Sequence, residues 1–183
     1  NLEGLRQAFN DPETRIHLVD DFQPIKYPRM VSMKVGNSGF LRNQSFKLHN
    51  GLNCIIGGKG VGKSLAIEFL RFALMQPPVD ENLLKDHKGK LEKCLEDGNS
   101  VEVIYELDDG SRFKITRQLK RITKDKSLDT YTKCTNIETN EEYKGDIPTM
   151  FPILAYSQTE VIKIAENKNA QLQLIDRFID PKP

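Results

Sequence analysis

The chain has 183 residues, 38% of them hydrophobic and 29% charged, a composition that fits one soluble globular domain with a core of its own. Its 27 basic and 26 acidic side chains leave a formal charge of +1, so there is no global signature of a nucleic-acid binder, although a local basic face stays open. Cys54, Cys94 and Cys134 stand apart with no CxxC pair, which argues against zinc and a disulfide framework. No apolar run approaches the ~20 residues of a membrane span, so the expected setting is cytoplasmic, with no membrane partner.

In chain order, residues 1–28 are polar and broken by Pro12, Pro24 and Pro28, and read as an arm or the tail of a preceding domain. Residues 29–183 form the body. Met30–Val35 and Ser45–Leu48 are expected as strands, with a turn at Asn50-Gly51. Leu52–Ile56 is an apolar run suited to a strand covered on both faces. Lys63–Met75 is a mostly apolar helix stopped by Pro77-Pro78. Asp80 caps a second helix through Leu95, with Leu84, Leu91 and Leu95 on one stripe and Gly98 as stop signal. Val101, Val103, Tyr105 and Leu107 alternate, Asp109-Gly110 turns, and Phe113 and Ile115 return. A strand at Thr130–Ile137 and another at Phe151–Tyr156 follow, then helices near Glu160–Ala165 and Ala170–Ile179.

Between the Leu52–Ile56 run and the first long helix lies Gly57-Gly58-Lys59-Gly60-Val61-Gly62-Lys63-Ser64, which fits G-x-x-x-x-G-K-[ST] in the strand–loop–helix context that motif requires. Gly57, Gly58, Gly60 and Gly62 are expected to allow positive φ and close approach of the backbone to phosphates. The loop and helix N–H groups, with Val61 and Leu65 at the turn, then cradle the β-phosphate. Lys63 brings a positive charge to the β- and γ-phosphates, and the Ser64 hydroxyl suits Mg²⁺. Lys59 could reach a phosphate, a partner or solvent. The expected cofactors are therefore ATP and Mg²⁺.

A guanine-reading N-K-x-D is missing, because Asn167-Lys168-Asn169-Ala170 lacks the Asp. The nearest imitation of an apolar strand ending in an acid is Val101–Asp109, whose alternation makes it a hairpin.

The run Leu52–Ser64, after two short strands and before Leu65–Leu74, resembles the N-terminal lobe of SMC, RecF and RecN type ATPases. Ala155-Tyr156-Ser157-Gln158-Thr159-Glu160 fits the same lobe. The resemblance implies that Gln158 is the Q-loop glutamine that touches Mg²⁺ and senses the γ-phosphate. Leu2–Ala8, Asp11–Arg15 and Gln171–Asp176 further resemble SMC-like ATPases joined to PHP-type phosphoesterase domains. No phosphoesterase chemistry carries over, because His17, His49 and His87 are isolated. The implied fold is α/β, a P-loop NTPase N-terminal lobe of the ABC-ATPase kind, with a mixed sheet, an antiparallel β portion and flanking helices.

The family's LSGGQ-like signature, Walker B acids and switch histidine do not occur, so the expectation is a fragment or the first half of a split head. The implied activity is ATP hydrolysis, completed by a C-terminal lobe and a second head, in DNA or RNA processing, repair or defence. A linked phosphoesterase or nuclease is a further candidate partner. Two other classes stay open: a non-catalytic nucleotide-dependent interaction module, and a P-loop kinase. Arg117, Lys120, Arg121, Lys124 and Lys126, and Lys85, Lys88, Lys90 and Lys93, could meet nucleic-acid phosphates or form solvated faces.

Overall fold

Strict alternation of apolar and polar residues is the strongest local signal in the chain, and it becomes the centre of an antiparallel sheet. The computed structural model describes residues 2–12, 27–37, 39–121 and 128–179. Five strands run in the order β2-β1-β3-β4-β5, with β1 Arg29–Val35, β2 Ser45–Lys47, β3 Ser100–Glu106, β4 Arg112–Arg121 and β5 Leu128–Asn136. Every pairing is antiparallel, and a bulge between Met30 and Ser32 shifts the β1–β3 register. The Val101–Asp109 segment is a hairpin as its pattern requires. Asp109 accepts the Ser111 N–H at 2.8 Å and its O–H at 2.6 Å within the turn.

One face of the sheet presents Val35, Val101, Val103, Tyr105, Phe113, Ile115, Leu119 and Cys134, all buried. Burial pushes the Cys134 thiol up to about 11, so it stays protonated and packs as a small apolar group. Against this face lies α2, Lys63–Ala73, whose Leu65, Ala66, Phe69, Phe72 and Ala73 recur at helical spacing and are buried. At one end Phe151 is enclosed by Tyr105, Phe113 and Tyr143, with ring centroids 5.2–5.8 Å away.

The remaining helices are α1 Leu2–Asn10, α3 Glu81–Cys94, α4 Ile147–Met150, α5 Gln158–Glu166 and α6 Lys168–Ile179. Asp80 caps α3 by accepting the N–H groups of Asn82 and Leu83. Leu91 and Leu95 of the expected stripe are buried, while Leu84 is half-buried. α1 buries none of its residues. No described helix is long and apolar enough to cross a membrane.

Two expected strands do not form. Leu52–Ile56 has no ladder partner among the described strands and lies exposed, with Leu52 and Ile56 over 90% accessible. The turn before it is held by side chains instead: Asn53 Oδ1 accepts the His49 N–H, and Asn53 Nδ2 donates to the carbonyls of His49 and Gly51. Residues 151–156 are likewise irregular. Their backbone is held by the Gln76 amide, which donates to the Phe151 carbonyl and accepts from the Ile153 N–H, and by Tyr105 Oη, which donates to the Pro152 carbonyl. The described sheet is thus antiparallel throughout, and the parallel part of the expected mixed sheet is not among its strands.

The basic run after β4 also divides. Arg117 sits on the inner face of β4, where its guanidinium lies 4.6 Å above the Phe72 ring and donates to the Phe72 carbonyl at 2.7 Å and Thr130 Oγ1 at 3.1 Å. It neutralises the carbonyl end of α2, so it belongs to the fold and is not a free phosphate contact. Lys120 is exposed, the Arg121 side chain is outside the described atoms, and Lys124 and Lys126 fall outside the described residues.

Candidate nucleotide-binding site

A helix begins with backbone N–H groups that have no intrahelical partner, and most helices satisfy them with a capping side chain. α2 does not. Its N-cap is Gly62, with φ 90° and no side-chain cap, so the N–H groups of its first turn stand ready for oxygens from a ligand. Lys63 is the first residue of the helix, and its Nζ turns back to donate to the carbonyls of Gly57 at 2.7 Å and Gly58 at 2.5 Å. The ammonium is thereby held against the loop that precedes the helix. Ser64 follows and is exposed; Lys59 and Val61 are exposed, and Leu65 is buried in the core.

The four glycines serve different purposes, which corrects the expectation of positive φ at all of them. Only Gly60 and Gly62 have positive φ. A Cβ on Gly57 would lie 2.8 Å from Val61 Cγ2, so any side chain there would have to displace the exposed Val61 side chain. A Cβ on Gly62 would press on Phe40 and Leu41, whereas Gly58 and Gly60 face open space. The loop therefore leaves bare backbone where a phosphate would lie, and the residues present fit a magnesium nucleotide: N–H donors, one ammonium and one hydroxyl.

Ser64 and Gln158, distant in sequence, line one cleft of about 240 Å³, together with Glu68, Asp86, Lys90 and Tyr156. Gln158 is the first residue of α5. Its helix starts with a reciprocal capping box, in which Ser157 Oγ accepts the Glu160 N–H and the Glu160 carboxylate accepts the Ser157 N–H.

Charge pairs join the three helices around the cleft. From α2, Glu68 is 2.6 Å from His87 Nδ1 and 3.5 Å from Lys90 Nζ, both on α3, and Arg71 is 2.7 Å from Glu160 on α5. From α5, Lys163 reaches Asp80, the α3 cap, at 2.7 Å. Burial opposes ionisation of Glu68, but the His87 hydrogen bond and the charges of His87, Lys90 and Arg71 outweigh it, and the carboxyl lies below its ordinary range.

Sequence reasoning missed Glu68, Arg71, His87 and Glu160 as a set. The signals were there: two charged residues inside a mostly apolar helix, and Ser-x-x-Glu at a helix start. Lys90, assigned to a basic face, is instead paired with Asp86 and Glu68.

The glycine loop, the uncapped helix and the Lys63-Ser64 pair define a P-loop nucleotide-binding protein. Residues 32–179 match the AAA domain family, and the chain belongs to it. This is a family of P-loop ATPases found in SMC-like proteins, whose members in general use ATP with Mg²⁺. Comparison with curated proteins returned no match.

Proposed function

We propose that the chain is the ATP- and Mg²⁺-binding lobe of an SMC-like ABC-type ATPase head. It hydrolyses ATP only when a C-terminal lobe supplies the missing acid and a second head closes over the nucleotide. The observation that carries this is the shared cleft lined by Ser64, at the end of the phosphate loop, and by Gln158, at the start of α5, so that a hydroxyl and an amide border one cavity. The exposed apolar run Leu52–Ile56, leading into that loop, supports it further: uncovered apolar side chains beside the loop want a neighbour, and the C-terminal lobe is the neighbour we assign.

In this reading the N–H groups of the loop and first turn of α2, with Lys63, hold the phosphates. Ser64 and Gln158 hold Mg²⁺, which supplies charge neutralisation at the γ-phosphate. Catalysis is then positioning and electrostatics, completed from outside this lobe. Gln158→Ala is expected to spare ATP binding measured in EDTA and to weaken the tightening that Mg²⁺ brings. A variant with the full Mg²⁺ response removes Gln158 from the site.

We assign DNA or RNA as the substrate on which the paired heads act, alone or with a linked phosphoesterase or nuclease. The surface that suits a polyanion is the open face of the sheet, where Lys114, Lys133 and the exposed Tyr131 line a groove of about 770 Å³, with Glu102 as the carboxylate among its described lining residues. Lys114→Ala with Lys133→Ala is expected to weaken DNA binding and to lower its salt slope by about one for each lysine–phosphate pair removed. Arg117→Ala should instead cost about 1–3 kcal/mol of stability and leave that slope alone. The reverse pattern, in a filter-binding salt titration and thermal melts, returns the DNA-binding role to the β4 run.

A further inference from the structure

Ser64, Glu68 and Arg71 are spaced i, i+4, i+7 and so share one face of α2. The first belongs to the phosphate end, and the other two are charged yet only 5% and 3% exposed. A buried guanidinium is costly unless it is held by good partners. Arg71 Nη2 donates to the Ala155 carbonyl and, at 2.7 Å, to Glu160 Oε2. That same carboxylate oxygen accepts the Ser157 N–H at 2.6 Å and so closes the capping box of α5. Arg71 therefore grips the turn on both sides of Gln158, through Ala155 before it and Glu160 after it.

We propose that Arg71, acting through Glu160, is the positioning residue that sets Gln158 opposite Ser64. One rigid helix then carries both the phosphate-end hydroxyl and the clamp that places its amide counterpart. The arginine touches neither nucleotide nor metal; it controls how strongly Mg²⁺ tightens the nucleotide. This rests on the assignment of Ser64 and Gln158 as the Mg²⁺ pair. Lysine at position 71 keeps the charge but not the fork that serves a carbonyl and a carboxylate together, so it is expected to restore only part of the effect.

The test uses the purified chain and the fluorescent probe mant-ATP, titrated in EDTA and in Mg²⁺, with a thermal melt for each variant. The readout is the ratio of the two affinities, which a purely structural ion pair does not move. Glu160→Gln, at a partly exposed position, preserves the capping geometry while removing the charge. It and Arg71→Met are expected to reduce the ratio by about tenfold or more with the EDTA affinity preserved. Arg71→Lys should fall between these and the parent chain. Gln158→Ala should show the same loss, and adding Glu160→Gln to it should cause no further loss, since both act through one group. A full ratio in folded Glu160→Gln, alongside a lost ratio in Gln158→Ala, overturns the positioning role and leaves the Mg²⁺ pair standing. A full ratio in Gln158→Ala overturns both.

Discussion

Lys63→Ala is expected to abolish tight ATP binding while leaving the fold intact. The ammonium donates to two carbonyls of its own loop, Gly57 and Gly58, so the core loses nothing when it is removed. What is lost is the full positive charge at the head of α2. Deleting a charged partner of a bound anion costs about 2–5 kcal/mol, and each 1.4 kcal/mol, roughly, is a factor of ten in affinity. Calorimetric titration with Mg·ATP should therefore show binding in the parent chain and none at comparable concentration in the variant, with unchanged melting temperatures. Equal affinities would remove the phosphate-loop assignment.

The second large effect concerns stability. Glu68→Leu leaves His87, 4% exposed, beside an apolar side chain in place of a carboxylate 2.6 Å away. Breaking a buried pair from one side costs about 3–5 kcal/mol, whereas replacing both partners by apolar groups costs much less. The double variant Glu68→Leu with His87→Leu should thus be more stable than Glu68→Leu alone, and Lys90 keeps Asp86 in either case. Additive losses in denaturant melts would show that the pair is not coupled. The same carboxyl sets an acid limit. Its folded pKa lies below the ordinary 4.5, so its contribution is complete above about that pH and is lost as the pH falls through the lower folded value. The parent chain should lose stability on acidification through that window, and Glu68→Leu should lose less.

The parts of the molecule legible in its sequence are those where side-chain period alone decides the backbone. The alternation in Val101–Leu107 and Phe113–Ile115 marked β3 and β4, and the stretch Leu65–Leu74 marked α2, because burial of one face is a local instruction. The glycine loop was legible because its chemistry requires fixed residues at fixed spacing. Leu52–Ile56 and Phe151–Tyr156 misled because an apolar run states what a segment would bury, not which strand will pair with it; ladder hydrogen bonds need a partner from elsewhere. Arg117 misled for the opposite reason. Counting charges placed it on a surface, while extending the alternation through Ile115 and Leu119 places it on the inner face, where Phe72 lies. The clamp at Gln158 was hidden because Arg71 and Glu160 meet only once α2 and α5 are packed.

The most direct test of the account is steady-state ATP turnover by the purified chain, with nucleotide binding measured in the same samples and Lys63→Ala as the blank. Clear binding with negligible turnover is expected, since in the proposed reading the catalytic acid and the second head that complete the reaction come from outside this lobe. Turnover at ordinary enzyme rates, lost in Lys63→Ala, would contradict it and would mean that this chain carries its own catalytic acid.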